Sequence, residues 1–158
     1  MILYHGSDMA VQKPRLMPTR RLLDFGTAFY LTSDFEQARK WSEHAVKMRE
    51  SGIATVSVFE FDSACLPNLR VLKFDSPDHP WLRFVAANRT GKPMKDEYDL
   101  IIGPVANDQS IRTVNDYLKG YFSEDIAIQL LLPQKLKDQY AFKTEAALAC
   151  LQFKEAFL

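Results

Sequence analysis

Three separated stretches of the chain carry residues that could hold a small polar ligand. Near the start, "YHGS" ends a short apolar strand on His5, Gly6 and Ser7. A strand that ends in this way can place an imidazole and an exposed backbone at the lip of a cleft. The second stretch, "DFGTAFYLT", carries Tyr30, and the third, "DQYAFKTEAALACLQF", carries Gln139 near its start. Such residues supply hydrogen bonds and stack on planar rings.

The motifs of several other catalytic classes are missing from the sequence. It has no GxGxxG or Walker phosphate loop, no HExxH, no GxSxG and no Cys/His cluster with metal-ligand spacing. His44 and His79 have no ligand partner at a useful spacing, so we interpret both as surface or structural histidines. We therefore expect no metal centre.

Composition indicates one ordinary globular domain over residues 1–158. Hydrophobic residues make up 47% of the chain, and 20 basic residues balance 20 acidic ones. Zero net charge argues against a large nucleic-acid footprint. Because no leader and no bilayer-length apolar run is present, we expect a cytoplasmic protein without membrane contact. Cys65 and Cys150 are then expected to be buried free thiols.

Apolar periodicity and turn residues predict a mixture of strands and helices. The predicted strands cover 2–5, 28–32, 54–61, 69–74, 98–106 and 139–143, and the predicted later helices cover 79–90, 109–119, 123–132 and 144–153. The aromatic end of the last of these could be strand instead. Because the elements do not alternate as regular βαβ units, we predict an α+β fold rather than a doubly wound sheet.

The first helix is predicted from a capping box that contains Ser33 as N-cap and Glu36 three residues later. The helix is expected to end near Gly52. Its apolar residues follow at helical spacing and should form one buried face: Phe35, Ala38, Trp41, Ala45 and Met48.

In order and strand placement, the three stretches resemble the ADP-ribosyltransferase superfamily, on the branch closest to the poly(ADP-ribose) polymerases. That branch has a strand ending in His-Gly-Ser, then Phe-Gly-x-Gly-x-Tyr, and last an Asn-Glu-Tyr-hydrophobic strand. The whole chain also looks like a small bacterial family of unknown function that is placed in this superfamily. The resemblance implies two small facing β-sheets around an NAD cleft, with flanking helices.

The resemblance also assigns roles in holding NAD, the co-substrate. His5 would hydrogen-bond the 2′-hydroxyl of the nicotinamide ribose, and the Gly6 backbone would hold the carboxamide. Tyr30 would stack on the nicotinamide ring, and Trp41 would cover the other face of the ring. Breaking the bond between nicotinamide and ribose passes through an oxocarbenium-like state, which needs such positioning more than acid–base groups.

Two further contacts are less well matched. A helical serine of the family corresponds to Ala38, so Ser7 or Ser42 would have to make its contact with the carboxamide. In the loop that would run over the dinucleotide, Arg20 and Arg21 could pair with the pyrophosphate. A solvated basic loop is the alternative for these arginines.

Gln139 occupies the place of the family's catalytic glutamate. An amide can hydrogen-bond a ribose hydroxyl, but it carries no charge and cannot act as a base. With an effective dielectric of about 20, a charge about 5 Å from the reacting carbon contributes roughly 3 kcal/mol, or about a hundredfold in rate. Glu145 or Asp24 could supply that charge after rearrangement, and Gln139→Glu would be activating if Gln139 lies in the catalytic position.

We therefore expect an NAD-dependent mono-ADP-ribosyltransferase in which His5, Tyr30 and Gln139 are catalytic residues. Its acceptor would be an unidentified protein or nucleic acid, and the resemblance suits a toxin or effector with an antitoxin partner. Chain extension into poly(ADP-ribose) is not expected, because the family ties it to the missing glutamate.

Three alternatives stay open. The protein could be a degenerate module that binds NAD or ADP-ribose without turnover, which Gln139 and Ala38 favour. It could resemble the RNA 2′-phosphotransferases, which rely on arginines around a phosphate. Finally, Tyr30 and Trp41 could be core aromatics and His5 a strand-end histidine that bonds only to the backbone.

Overall fold

The computed structural model describes residues 1–19, 21–95, 97–106 and 109–158. Its seven strands are β1 (Ile2–Ser7), β2 (Phe29–Leu31), β3 (Thr55–Phe61), β4 (Val71–Lys73), β5 (Leu100–Pro104), β6 (Asp138–Phe142) and β7 (Leu151–Phe157). Its five α-helices are α1 (Phe35–Arg49), α2 (His79–Arg89), α3 (Ser110–Leu118), α4 (Glu124–Leu131) and α5 (Glu145–Leu148). Short 3₁₀ turns cover Ser63–Asn68 and Leu132–Gln134.

The strands form two sheets, in the orders β1-β3-β7 and β2-β6-β5-β4. Only β4 and β5 run parallel among the pairs within these sheets. A single bridge between Tyr4 and Thr32 joins β1 to the end of β2, so the edges of the two sheets meet there. The α+β class predicted from the sequence is confirmed.

Two apolar clusters make up the core. One lies between the sheets and contains Leu3, Leu31, Phe59, Phe61, Leu100 and Phe142. The other joins the four-stranded sheet to α2, α3 and α4 and contains the fully buried Trp81, whose indole N–H donates to the Pro104 carbonyl at 2.9 Å. This bond holds the end of β5 beside α2.

Helix α1 differs from its sequence prediction in two ways. Its N-cap is Asp34 rather than Ser33: the Asp34 carboxylate accepts from the Gln37 N–H at 2.8 Å, while the Ser33 hydroxyl donates to Asp138 on β6. Its predicted apolar face is not all buried, since Met48 is 61% exposed and only Ala38 and Ser42 are buried. The rest of that face is left available for another role.

The C-terminal segment is mostly strand. The helix predicted over 144–153 is too long: it ends at Leu148, and the alternative that its aromatic end is strand is confirmed, because residues 151–157 pair with β3 as an antiparallel edge strand. This pairing brings Cys150 beside the 3₁₀ turn that follows β3, where it forms a disulfide with Cys65. The expectation of two free thiols is therefore wrong for this structure.

Strand β1 lies unusually close to α1 at Gly6. A Cβ atom built on Gly6 would be 1.9 Å from the carbonyl oxygen of Ala38 and 2.8 Å from the backbone nitrogen of Ser42. Both atoms belong to the helix backbone, so neither can swing away. Glycine is therefore required here by packing, whatever else its backbone does.

We expect Gly6→Ala to lower the free energy of unfolding by about 3 kcal/mol, because β1 and α1 must separate to admit the methyl group. Urea unfolding followed by circular dichroism measures this loss. Gly120→Ala is the control: Gly120 has φ of 81° and nothing within 4 Å of the added carbon, so it should lose only the conformational cost of about 1 kcal/mol. An equal or smaller loss at Gly6 would contradict the packing argument.

Candidate functional site: a cavity where the two sheets meet

A cavity of about 310 Å³ opens where β1 meets β2 and β6. Its walls come from both sheets, from α1 and α2, from the loop before β2 and from the chain after β5. Seven of the residues expected to contact NAD line it together: His5, Gly6, Ser7, Arg21, Tyr30, Trp41 and Gln139. Arg20 lies outside the described residues. The three sequence stretches therefore converge on one cavity.

The imidazole of His5 is fixed by β2. Its ring stacks on Phe29 with centroids 4.2 Å apart, and Nδ1 lies 2.8 Å from the carbonyl oxygen of Tyr30. A carbonyl only accepts, so Nδ1 carries the proton and Nε2 of the neutral ring is an acceptor. Burial, with a smaller contribution from the charge of Arg49, lowers the pKa of His5 below its ordinary value of 6.5. At neutral pH, His5 therefore presents an uncharged acceptor.

The Gly6 backbone faces the edge of β1 that is turned away from β3. Two residues earlier, both backbone groups of Tyr4 bond to Thr32 across that edge, at 2.8 and 3.0 Å. Backbone groups point to alternate sides along an antiparallel strand, so the N–H and C=O of Gly6 point to the same edge as those of Tyr4. Among the described residues, no backbone hydrogen bond joins Gly6 to another element there. One donor and one acceptor are thus available at the cavity.

Tyr30 is anchored by its hydroxyl group. The hydroxyl donates to the carbonyl of Gly26 at 2.6 Å and accepts from the N–H of Phe25 at 3.2 Å. The side chain is only half-buried, and it lines the cavity. Because its polar end is held by the preceding loop, the ring has a fixed orientation toward the cavity.

Helix α1 supplies the opposite wall through Trp41, His44, Ala45 and Arg49. Trp41 and Ala45 belong to the apolar face that the sequence assigned to the core, which explains why that face is incompletely buried. His44 was interpreted as a surface or structural histidine; it is exposed, but it stands at the rim of the cavity. The spacing i, i+3, i+4 and i+8 was the signal that could have grouped these four residues.

The serines proposed to replace the family's helical serine differ in position. Ala38 is fully buried beneath Gly6. Ser42 is also buried, donates to the Arg39 carbonyl at 2.7 Å and does not line the cavity. Ser7 does line the cavity, and its hydroxyl donates to Asp8 at 3.1 Å. Of the two serines, only Ser7 has access to a ligand.

Gln139 reaches the cavity from β6 and is 3% exposed. Its amide nitrogen donates to Asp24 Oδ2 at 3.2 Å and to the Pro104 carbonyl at 3.3 Å. Asp24 in turn binds Arg89, whose Nε and Nη2 lie 2.6 and 2.5 Å from Oδ1. Asp24 thus lines the cavity as part of a buried ion pair. Arg89 is a lining residue that the sequence analysis missed, since no local pattern links it to Asp24, 65 positions earlier.

Glu145, the other proposed source of negative charge, is exposed in the first turn of α5 and does not line the cavity. The charged side chains at the rim of the cavity are basic.

Arg21 and Arg49 are both exposed at this rim, and Arg49 is ion-paired with Asp8. The cavity therefore combines a polar floor, two aromatic side chains and a basic rim.

A family model described as a protein of unknown function, DUF3990, matches residues 1–153. The chain belongs to this family. No curated protein and no solved structure matches the chain. The family match includes every cavity-lining residue from His5 to Gln139, so the cavity is built within the part of the chain that defines the family.

The described ranges contain no group of three or more His, Cys, Asp or Glu side chains arranged to hold a metal ion. None of the helices in those ranges has the length and apolar character needed to cross a bilayer.

The lowered pKa of His5 predicts a stability change with a defined sign. As pH falls below 6.5, the unfolded chain binds a proton at His5 before the folded protein does, so the free energy of unfolding decreases until the lower folded pKa is passed. Urea unfolding from pH 7.5 to 5 should show this decrease, and His5→Gln should reduce it. An NMR titration midpoint for His5 at or above 6.5 would contradict the assignment.

Proposed function

We propose that this protein is an NAD-dependent mono-ADP-ribosyltransferase with the fold of that superfamily. The observation that carries the proposal is the convergence of His5, Gly6, Tyr30, Trp41 and Gln139, from three distant stretches and α1, on a single cavity. If Tyr30 and Trp41 only filled the core, we would not expect both to line an open cavity beside the end of β1, where the backbone groups of Gly6 are available. The volume lies at the lower end of the range for ligand pockets, roughly 300–1,000 Å³, which suits the nicotinamide riboside end of NAD.

The nicotinamide would bind against β1. Its carboxamide has one acceptor and two donors, which complement the N–H and C=O that Gly6 presents on the open edge of the strand. The ring would lie between Tyr30 and Trp41, which approach from β2 and α1 respectively. Stacking on two faces would hold the leaving group in one orientation.

The ribose would bind between two neutral acceptors. His5 offers Nε2, because Nδ1–H is used by Tyr30, and Gln139 offers its amide oxygen, because its nitrogen is used by Asp24 and Pro104. Ribose hydroxyls are donors, so they match both groups. The pyrophosphate would then leave toward the rim, where Arg21 can offset its charge.

In the reaction, the bond between nicotinamide N1 and ribose C1′ breaks and its electron pair stays on the nicotinamide, which leaves as a neutral molecule. A nucleophile of the acceptor bonds to C1′ and loses its proton to solvent. Gln139 orients the ribose but adds no negative charge beside the cationic carbon, so the rate is low and transfer stops after one ADP-ribose. The acceptor is a protein or nucleic acid that enters over the basic rim, which would suit a toxin or effector held in check by an antitoxin.

One observation favours a second candidate, a module that binds NAD or ADP-ribose without turnover. Among the described residues that line the cavity, Asp24 is the only carboxylate, and Arg89 offsets its charge. No uncompensated negative charge from these lining residues therefore stands near the reacting carbon. A measurement of NAD binding shows whether the cavity is a ligand site. Release of nicotinamide then distinguishes an enzyme from a binding module.

We expect NAD to bind with a dissociation constant in the micromolar to millimolar range, and Tyr30→Ala to weaken it about tenfold or more, since one aromatic stacking contact contributes about 1–3 kcal/mol. Isothermal titration measures both. Tyr30→Phe keeps the ring and should retain most of the affinity, because stacking rather than the hydroxyl contacts to Phe25 and Gly26 supplies the binding energy.

Tyr121→Ala is the matched control, because Tyr121 is 71% exposed and lies outside the cavity. Chromatographic detection of nicotinamide after incubation of the wild type with NAD then distinguishes transferase from binding module. Absence of NAD binding at millimolar concentration, or equal affinity in the Tyr30→Ala and wild-type proteins, would contradict the proposed function.

A further inference from the structure

The orientation of the Gln139 amide is decided by chemistry. Its nitrogen lies 3.2 Å from Asp24 Oδ2 and 3.3 Å from the Pro104 carbonyl oxygen. A carboxylate and a carbonyl can only accept, so the NH₂ group must face them. The amide oxygen accepts no hydrogen bond from the described residues. It is therefore the oxygen, and not the NH₂ group, that is left for a ligand.

Asp24 is held more firmly than Gln139 is. Oδ1 receives the two bonds from Arg89, and Oδ2 receives the Ala106 N–H at 3.2 Å in addition to Gln139. The residue is 4% exposed. Because both oxygens are engaged and Arg89 offsets the charge, Asp24 is not available as a base or as an uncompensated charge. Asp24 can, however, hold the Gln139 amide in one orientation.

We propose that Asp24 is a positioning residue, which turns the Gln139 amide so that its carbonyl oxygen faces the ribose of the bound nucleotide. The ligand half of this inference rests on the proposed function, whereas the amide orientation does not. Without Asp24, the Gln139 NH₂ group would keep only the Pro104 carbonyl as a partner. The amide could then flip and turn its NH₂ group toward the ribose, whose hydroxyl groups would no longer find an acceptor there. Asp24 therefore decides which chemical group position 139 offers.

The same contact changes what a glutamate at position 139 would do. Gln139→Glu would place a carboxylate within about hydrogen-bond distance of Asp24 Oδ2, and two like charges so close cannot both ionise easily. The introduced carboxyl group would keep its proton to a higher pH than an ordinary glutamate and bring less charge to the site. Combined with Asp24→Asn, it would gain a donor and ionise normally. The activation expected from Gln139→Glu should therefore be larger in the double variant.

The first experiment needs no NAD, and its first step uses the wild type. Ala106 N–H and the Gln139 NH₂ group share Asp24 Oδ2, so their protons should show a nuclear Overhauser effect in the wild type, with the Gln139 resonances assigned by their loss in Gln139→Glu. Absence of this effect would overturn the orientation. In Asp24→Asn, we expect the Gln139 resonances to shift and exchange faster with solvent; in Asp99→Asn they should not change. Asp99 is the matched control, because it is a buried aspartate that binds an arginine, Arg70, outside the cavity.

The second experiment compares the titration of the introduced carboxyl group at position 139 in Gln139→Glu and in Asp24→Asn/Gln139→Glu, by carbon NMR of that labelled group. We expect the midpoint to be at least about one pH unit higher when Asp24 is present. The other charged or titratable groups of the described residues that line the cavity are the same in both proteins: His5, Arg21, Tyr30, His44, Arg49 and Arg89. Equal midpoints would overturn the proposal, since a merely structural aspartate would alter stability and leave the titration unchanged.

The third measurement links orientation to ligand. We expect Asp24→Asn to weaken NAD binding about tenfold, as for a lost hydrogen bond with a charged partner, and the double variant to release nicotinamide faster than Gln139→Glu at pH 7. Unchanged NAD affinity with a disturbed Gln139 amide would overturn the ligand half of the proposal. If the wild type binds no NAD, the proposed function fails, and the two NMR experiments still decide the orientation.

Discussion

The close contact of β1 with α1 at Gly6 fixes the geometry on which the cavity depends. With no side chain at this position, the strand backbone lies against the helix backbone at Ala38 and Ser42. The next turn of the helix then stands beside the end of the strand, which is why Trp41 lines the same cavity as His5. A bulkier residue would separate the strand from the helix and move one wall of the cavity away from the other.

Two polar side chains of the cavity, His5 and Gln139, are held as acceptors by their hydrogen-bond partners. His5 gives its one proton to a backbone carbonyl, and Gln139 gives its NH₂ group to Asp24 and Pro104. Both residues are thereby left with one acceptor atom each, and neither carries charge at neutral pH. Such a site favours a ligand that is rich in hydroxyl donors and binds it without a strong base, which agrees with slow transfer or with binding alone.

Most of the individual elements were predictable, because each depends on local apolar spacing and on nearby cap or turn residues. The incorrect predictions concern segments whose structure depends on residues far away in the chain. The segment after Leu148 has helix-forming alanines before it, yet it pairs with β3 as a strand, and this pairing also brings Cys150 to Cys65. In the site, recognisable sequence motifs grouped His5, Tyr30 and Gln139. The Asp24–Arg89 pair and the orientation of Gln139 depend on contacts between residues far apart in the chain, for which the sequence has no local signal.

The central claim is that the cavity holds the nicotinamide end of NAD. Saturation-transfer NMR with excess NAD tests it most directly, because it reports which protons of the ligand lie against the protein and does not require turnover. We expect stronger saturation of the nicotinamide ring protons than of the adenine protons, and displacement of NAD by free nicotinamide. Saturation confined to the adenine protons, or none at all, would contradict it.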